Sequence, residues 1–326
     1  MNTSLNAEST EWTRHGNLSC YHLTRFLVYS QDALKLPFIL NCVLNAVLSV
    51  TAIVGNSAIL WALTKSSSTL RPPSKALLFS LAMSDLGVGA LVQPLYITYK
   101  AAEVNDNFRM FCVAGIGFHL SANVFSAVSF LTVTAIAIDR LLALHLKKGY
   151  NAAISLRRVA ILLLLLWSAT SLWVIAWIKS IEIYQIFNIA SVFVCLLICA
   201  SAYVTLQIRL RMLQNSMIAS RFQTQDTESQ VILHVKENTP HLQLYRRSVV
   251  TMFYIYILLI LCYVPYLSMF IVIEVTGRDS VKIACLSFAM TVLFANASLN
   301  PFLYCWRIQE IRREISKAAK NIFCRK

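Results

Sequence analysis

The last long apolar segment of the chain ends in Asn296-Ala297-Ser298-Leu299-Asn300-Pro301-Phe302-Leu303-Tyr304. This stretch carries two amides, a hydroxyl, a proline and a tyrosine where a helix that faces lipid would favour Leu and Val. Polar groups inside a membrane-spanning helix are costly unless they meet partners, so such a cluster indicates a functional site. The stretch also closes the seventh of seven apolar segments, and these segments decide the fold.

The chain has 326 residues, of which 57% are hydrophobic and only 13% charged. The apolar segments lie at about 37–63, 74–99, 110–138, 158–178, 183–207, 248–274 and 283–305. Each approaches or exceeds the roughly 20 residues that a helix needs to cross the hydrocarbon core. Because lipid offers the backbone no hydrogen-bond partner, each segment must be helical. The sequence therefore predicts an all-α integral membrane protein, a seven-transmembrane helix bundle over residues 37–305.

The formal net charge of +14 raises the alternative of nucleic-acid binding, but the placement of the charge argues against it. With seven spans, one membrane face holds 21 of the 29 Lys and Arg residues, counted over 64–73, 139–157, 208–247 and 306–326 with the edge residues Lys75 and Arg158. Cytoplasmic loops carry such an excess of bases. We therefore predict a multi-pass plasma-membrane protein with its amino terminus outside, its carboxyl terminus in the cytoplasm and no nucleic-acid partner.

Three polar segments lie outside the predicted spans. Residues 1–36 form an extracellular tail with glycosylation sequons at Asn2 and Asn17. Residues of about 210–245 are predicted to form a mobile cytoplasmic loop. Residues 306–326 are predicted to form an amphipathic eighth helix and tail on the inner leaflet, with Ile308, Ile311 and Ile315 at helical spacing. Cys324 near the end of this segment is a candidate for palmitoylation, with an unmodified cysteine as the equal alternative.

Polar side chains inside the spans are the candidate functional residues. Asp85 lies in the middle of the second span, where an ionised carboxylate needs a cation, a proton or several hydrogen-bond donors. Ser129, Asn296 and Asn300 lie at matching depth and could share a sodium ion with it, with a structural hydrogen-bond hub as the alternative. No motif for a soluble enzyme or another metal site is present, and the allosteric sodium ion is the only cofactor that we expect.

Taken together, the motifs resemble those of the rhodopsin-like (class A) G-protein-coupled receptors, and the match runs from about residue 37 to residue 323. The motifs follow one another in order, one or more per span: Gly55-Asn56, Leu81-Ala82-Met83-Ser84-Asp85, Asp139-Arg140-Leu141, Trp167, Tyr203, Cys262-Tyr263-Val264-Pro265 and Asn300-Pro301-Phe302-Leu303-Tyr304. Each motif alone is weak, and Asp139-Arg140 alone fits simple interface snorkelling equally well. Their order along the chain is what makes the resemblance specific.

The resemblance implies a receptor and not an enzyme. A ligand in the extracellular half of the bundle favours outward movement of the sixth helix, with Tyr263 and Pro265 as the switch. Arg140 then leaves Asp139, while Tyr203 and Tyr304 turn inward beside Asn300 and Pro301, and a groove opens for a heterotrimeric G protein. Arrestin and receptor kinases are further implied partners. Physically, this is a two-state equilibrium that a ligand biases by binding one state more tightly.

Several residues depart from the family pattern. Relatives tie the third helix to the second extracellular loop by a disulfide, but residues 168–194 contain no cysteine, so Cys112 lacks that partner. We expect Cys20 to pair with Cys285 instead. Together with Cys195 in place of a common proline, this resembles the melanocortin, cannabinoid and lysophospholipid receptors, with adenosine receptors as cousins.

The sixth helix departs from the pattern as well. It carries Tyr263 where tryptophan is usual, and it begins with Tyr245-Arg246-Arg247, without the acid that holds the third-helix arginine in many relatives. We therefore predict a weak inactive-state contact and measurable basal signalling. Lys147 and Lys148 stand where a proline and an apolar residue are usual, which leaves the class of G protein open.

The resemblance also implies a ligand pocket, lined by Ala122, Asn123, Ser126, Phe187, Asn188, Ser191, Tyr263, Tyr266, Phe270, Met290 and Phe294. Ala122 removes the acidic anchor of amine receptors, and Phe294 replaces the lysine of retinal pigments. A lipid-like or neutral small ligand is therefore favoured. A peptide that contacts Glu103, Asp106, Glu182 or Glu274 is the next alternative, followed by an adenosine-like ligand, which Phe270 disfavours.

Two other functions remain as alternatives. A transporter would need a polar path through the whole bilayer, whereas the polar residues gather in the centre and the cytoplasmic half, and no internal repeat is apparent. A non-signalling decoy or scaffold receptor would bind ligand without engaging a G protein. It is disfavoured because Arg140, Tyr203 and Tyr304 are all in place.

Overall fold

The computed structural model describes residue 23 and residues 32–65, 71–146, 149–175, 181–223 and 228–323. Within these ranges the chain forms helices, and seven of them are long and apolar enough to cross a membrane. The predicted seven-transmembrane bundle is therefore confirmed, and the chain is a multi-pass membrane protein. The spans are Lys35–Lys65, Pro72–Val104, Phe108–Leu146, Leu156–Trp173, Tyr184–Met212, Phe253–Thr276 and Ser280–Arg307.

Spans 2, 3 and 7 form the centre of the bundle. Half or more of the most apolar part of each is buried inside the protein, against 11% in span 4. Span 7 packs between spans 1 and 6, span 3 contacts spans 2, 4 and 5, and span 4 lies at the periphery. This arrangement explains why the polar side chains concentrate in spans 2, 3 and 7, where they face protein instead of lipid.

Two shorter helices lie at the side of the bundle that the sequence predicts to be cytoplasmic. A single helical turn, Tyr150–Ala153, connects spans 3 and 4. The helix Gln309–Phe323 follows span 7 directly, and its Ile311 is fully buried against the bundle. Its apolar residues lie on one face and its bases on the others, as the sequence predicts for a helix along the inner leaflet.

The cytoplasmic segment between spans 5 and 6 differs from the prediction of a mobile loop at about 210–245. The fifth helix runs from Ile181 to Gln223, and the sixth begins at Glu228 and continues to Thr276. Leu, Met, Gln, Arg and Glu, which are good helix formers, are frequent in this range, so both helices extend beyond the apolar spans before they end. The polar composition of this segment therefore indicates where the two helices leave the apolar spans, and not where they end.

Span 2 contains an irregular turn near its middle. The helix Pro72–Gly87 passes into a π-helical turn, Val88–Val92, and resumes as the helix Gln93–Val104. Pro94 supplies the cause, because it has no N–H to donate to the preceding turn, whereas the N–H of Gln93 reaches back to the carbonyl of Val88. The helix therefore accommodates Pro94 by one wider turn.

Spans 1 and 7 approach each other closely at Gly55. A Cβ atom at this position would lie 2.8 Å from Cγ of Pro301, too close for a rigid ring to accommodate. The neighbouring Asn56 donates from Nδ2 to the carbonyl oxygen of Ala297 at 3.0 Å. Gly55 and Asn56 therefore fix span 1 against the Asn-Pro motif of span 7, one by its lack of a side chain and the other by a hydrogen bond.

We expect Gly55→Ala to lower the free energy of unfolding by about 1–3 kcal/mol, because Pro301 cannot move without displacing span 7. The measurement is the thermal unfolding midpoint of the purified protein in lipid nanodiscs. Gly149→Ala is the matched control, since a Cβ atom there would meet nothing within 4 Å. Equal midpoints for the two variants would contradict the proposed close packing.

The cysteine pairing differs from the expectation. Cys285 is a free, exposed thiol, whereas Cys112 is disulfide-bonded. The predicted Cys20–Cys285 pair is therefore wrong. The partner of Cys112 lies outside the described residues. Of the three cysteines Cys20, Cys112 and Cys285, one must stay unpaired, and the sequence alone could not tell which one.

We predict that Cys112→Ser lowers the free energy of unfolding by about 2–4 kcal/mol, while Cys285→Ser leaves it unchanged. Thermal unfolding of both variants checks this. Peptide mapping without reduction should find Cys20 joined to Cys112. Cys285 is free, and Cys20 is the remaining cysteine in the predicted outer segments. Recovery of a peptide pair that contains Cys285 would overturn this assignment.

Candidate ligand cavity and signalling core

Two overlapping cavities open between the outer halves of the spans. The outer cavity encloses about 660 Å³, counted to its open mouth, and its lining includes Tyr99, Lys100, His119, Asn123, Tyr184, Gln185, Asn188, Tyr266, Phe270, Ser287 and Met290. The inner cavity encloses about 770 Å³ and adds mostly apolar residues: Phe118, Ala122, Ser126, Ile189, Val192, Tyr263, Leu267, Leu293 and Phe294. A ligand that fills both would meet polar groups near the mouth and apolar groups below.

The structure brings nine of the eleven predicted pocket residues to these cavities: Ala122, Asn123, Ser126, Asn188, Tyr263, Tyr266, Phe270, Met290 and Phe294. The other two, Phe187 and Ser191, lie on the exposed side of the fifth helix, where Phe187 packs against Trp173. The side of this helix that faces the cavities instead carries Gln185, Asn188, Ile189 and Val192, in the three- and four-residue spacing of one helical face.

The outer cavity also contains residues that the sequence did not single out. Lys100 lines it, and its Nζ atom donates to Oε2 of Glu103 at 2.7 Å, with both side chains almost fully buried. The same Nζ atom lies 5.0 Å from the ring centres of Phe38 and Tyr99. The sequence signal for Lys100 was its position at the edge of an apolar segment. Lysines at such positions more often extend to the membrane surface than line a cavity.

This ion pair changes the prediction for Glu103. The sequence suggested that its carboxylate contacts an extracellular peptide, but it is buried and held by Lys100. Asp106 is exposed in the turn between spans 2 and 3, and Glu274 is exposed near the end of the sixth helix. Of the four predicted acids, Asp106 and Glu274 therefore have carboxylates at the surface, whereas that of Glu103 is buried. The side chain of Glu182 lies outside the described residues.

Tyr263 connects the inner cavity to the core below it. Its hydroxyl donates to the carbonyl oxygen of Ser126 at 3.4 Å, and its ring centre lies 5.0 Å from that of Phe130. One side of this residue thus forms the floor of the cavity, and the other packs on the third span. A ligand that displaces Tyr263 would therefore disturb the contact between spans 3 and 6.

The polar cluster around Asp85 lies deeper in the bundle. Asp85 is buried, and its carboxylate accepts from Oγ of Ser129 at 3.2 Å and from Nδ2 of Asn300 at 2.8 Å. Asn296 is also buried. Among the described residues, no Lys or Arg forms an ion pair with Asp85, and the Oδ1 atom of Asn300 has no hydrogen-bond partner. The hydrogen bonds join spans 2, 3 and 7 at one depth.

A second polar cluster lies at the carboxyl-terminal end of span 3. Arg140 pairs with Asp139 at 2.8 Å and donates to Oγ of Ser74 in span 2. Asp139 also accepts from the hydroxyl of Tyr150 at 2.5 Å. Burial raises the pKa of Tyr150 to about 12, and the hydrogen bond to Asp139 adds to this rise, so the phenol remains a donor at neutral pH. In this state Arg140 stays with Asp139.

Four aromatic rings link the ends of spans 5, 6 and 7 on the same side of the bundle as Arg140, and we call them the aromatic row. Tyr203 stacks on Phe253 with ring centres 4.7 Å apart, Phe253 neighbours Tyr254, and Tyr254 meets Trp306 at 5.0 Å. The guanidinium carbon of Arg307 lies 5.2 Å from the centres of both Tyr254 and Trp306. The sixth helix is therefore held on both sides.

The remaining signalling residues lie nearby, and some predicted sites lie beyond what the structure describes. Tyr304 is fully buried, and its hydroxyl has no hydrogen-bond partner. Pro301 and Pro265 lie within the helices of spans 7 and 6. The glycosylation sites Asn2 and Asn17, the cysteines Cys20 and Cys324, and the side chain of Tyr245 lie outside the described residues.

Comparison with known proteins identifies the family. Adenosine receptor A2b of Gallus gallus is 31% identical over 125 residues, which cover 38% of this chain and 35% of the relative. Adenosine receptor A3 of Canis lupus familiaris is 27% identical over 135 residues, or 41% of each chain. Melanopsin of Phodopus sungorus is 31% identical over 146 residues, which cover 43% of this chain and 28% of the relative.

The chain thus spans well under half the length of these relatives. A family model covers far more of it. The model described as "7 transmembrane receptor (rhodopsin family)" matches residues 55–304, from Gly55 in span 1 to Tyr304 in span 7. All the motifs described above lie within this match. The chain therefore belongs to the rhodopsin family of seven-transmembrane receptors.

Proposed function

We propose that this protein is a plasma-membrane receptor that binds an extracellular ligand in the two cavities and activates a heterotrimeric G protein. The observation that carries the proposal is the continuity of the sixth helix. Tyr263 on this helix forms the floor of the inner cavity, and Phe253 and Tyr254 on the same helix belong to the aromatic row at its cytoplasmic end. A ligand that shifts one end therefore acts on the other.

The cavity lining favours a lipid-like small molecule. The inner cavity is largely apolar, and no acid is among the described residues that line either cavity. An adenosine-like ligand is the next candidate, because adenosine receptors are among the relatives, but Phe270 supplies no amide for a purine. A peptide follows, since the burial of Glu103 removes one of its predicted contacts.

An allosteric sodium ion fits the cluster around Asp85. A buried carboxylate without an ion-pair partner needs a compensating cation or proton. Ser129, Asn296 and Asn300 supply further oxygens at the same depth, and the Oδ1 atom of Asn300 has no hydrogen-bond partner. These are hard oxygen ligands of the kind that alkali and alkaline-earth ions prefer. Bound there, sodium would tie spans 2, 3 and 7 together in the inactive state.

The aromatic row is the contact that we propose to hold this inactive state. Outward movement of the sixth helix would separate Tyr254 from Trp306 and Arg307, and it would free Tyr203 to turn towards Arg140. Cation–π and ring contacts of this kind contribute about 0.5–2 kcal/mol each. They take the place of the acid that is missing at Tyr245. Arrestin and receptor kinases would then act on the active state from the cytoplasmic side.

The first test is ligand-free activation of a panel of heterotrimeric G proteins in cells, with wild type beside Arg140→Ala. We expect basal nucleotide exchange on at least one G protein, reduced about tenfold or more in Arg140→Ala at equal surface expression. Exchange that does not depend on Arg140, or silence of both proteins at the surface, would favour the decoy receptor. Uptake or conductance that Asp85→Asn abolishes would favour the transporter.

The second test removes one ring from the aromatic row. Tyr254→Leu should raise basal exchange about threefold or more, because the cation–π contact with Arg307 stabilises only the inactive state. Phe302→Leu is the matched control, since this ring on span 7 lies outside the row and is 62% exposed at the surface of the bundle. Basal exchange that is the same in both variants at equal surface expression would show that the row does not hold the sixth helix.

A further inference from the structure

We infer that the ligand is an acidic amphiphile, whose carboxylate binds at Tyr99 and Lys100 and whose apolar chain fills the inner cavity. This inference rests on the proposed function, because it names the chemistry of the ligand for the same cavities. Beyond the lipid-like character proposed above, the head group of the ligand is assigned a negative charge, and Tyr99 and Lys100 are assigned as the side chains that bind it.

The first argument is the charge at the mouth of the cavities. Lys100 is the only side chain with a full charge among the described residues that line either cavity. Its partner Glu103 does not line them and lies one helical turn further along span 2, so the positive end of the pair is the one next to the cavity. A cationic head group would be repelled there, and an anionic one attracted.

The second argument is an unused hydrogen-bond donor beside this lysine. Tyr99 is 98% buried and lines the outer cavity, yet its hydroxyl has no hydrogen-bond partner. Leaving a buried hydroxyl unpaired costs about 1–3 kcal/mol, and an acceptor that arrives from the cavity would remove this cost. An acceptor such as a carboxylate oxygen would satisfy the hydroxyl of Tyr99 and the charge of Lys100 together, because Nζ of Lys100 lies 5.0 Å from the centre of the Tyr99 ring.

The existing ion pair does not compete with this role. An ammonium group has three donors, and Glu103 accepts only one of them in the contact at 2.7 Å. The pair also lets the protein keep a lysine buried in the ligand-free state, where an isolated ammonium group would be expensive. Lys100 is therefore held in position before the ligand arrives, and little side-chain entropy is lost on binding.

The third argument is the gradient of polarity from the mouth inwards. Below Tyr99 and Lys100 the lining changes to Phe118, Val192, Leu293 and Phe294, with no described charged residue. An unbranched hydrocarbon chain gains about 0.8 kcal/mol for each buried methylene group in such surroundings. A ligand with an anionic head and an apolar chain therefore matches the lining in both halves.

The test uses the full-length protein in nanodiscs of a zwitterionic lipid. The probes are straight-chain carboxylates of about eight to sixteen carbons with their methyl esters, alcohols and primary amines, since the cavities admit ligands of this size. Binding is measured by the thermal shift and by competition with a radiolabelled carboxylate. Wild type is compared with Tyr99→Phe, the double variant Lys100→Met with Glu103→Met, and Lys282→Met, a charge loss outside the cavities.

We expect at least one carboxylate to bind about tenfold or more tightly than its ester and amine in wild type and in Lys282→Met. Tyr99→Phe should keep or raise the unfolding midpoint of the ligand-free protein, because it removes a buried hydroxyl without a partner, yet it should weaken carboxylate binding about tenfold. The double variant removes both charges without leaving one unpaired, and it should bind acid and ester equally.

Three results would overturn the inference. One is that no carboxylate outranks its ester in wild type. Another is that the amines bind best. The last is that all variants shift equally, as unspecific partitioning into lipid would produce. All these readouts are binding measurements, so they stand even if the protein activates no G protein. Conversely, exchange that depends on Arg140 without any preference for acids would keep the proposed receptor and discard the acidic ligand.

Discussion

The bundle depends on the buried carboxylate of Asp85. An ionised group in an apolar interior is tolerated only where donors surround it, so Ser129 of span 3 and Asn300 of span 7 must lie at the same depth. That requirement fixes the vertical positions of three helices. Span 1 then follows, because Gly55 fits against Pro301, and Asn56 bonds to the carbonyl of Ala297. The apolar residues fill the space around these contacts, but they would tolerate several relative heights of the helices. The polar contacts select one of these relative heights.

Above and below this centre, the protein is less tightly constrained, and that difference is suited to signalling. The outer halves of the spans diverge around two cavities, and the cytoplasmic ends of spans 5, 6 and 7 are joined mainly by the aromatic row. Ring contacts and a cation–π contact are weaker than a buried ion pair with matched hydrogen bonds. The sixth helix therefore has a firm pivot near Tyr263 and a loosely held inner end. A helix held in this way could exchange between two positions, which is what the proposed ligand would need in order to shift a population.

Much of this architecture could be predicted from the sequence, and the remainder depends on geometry that the sequence does not express. Apolar length gave the seven spans, and buried polar residues such as Asp85 and Asn300 stood out because lipid excludes them. The extension of helices 5 and 6 beyond the membrane was missed, since a polar composition does not distinguish a loop from a solvated helix. Phe187 and Ser191 were misplaced because which side of the fifth helix faces the cavities is set by its packing. Lys100 was missed because its burial depends on Glu103 and on the rings around it.

The π-helical turn at Val88–Val92 has a consequence for how this receptor could diverge from its relatives. A π turn holds about one residue more than an α turn, and one residue corresponds to about 100° of rotation around a helix. Tyr99 and Lys100 therefore face the cavity by virtue of a single inserted residue. Deleting one residue within this turn would restore a regular helix and turn both side chains away, while every family motif stayed intact. Two relatives could thus share all their signalling residues and still present different side chains to the ligand, with a one-residue gap in span 2 as the whole difference.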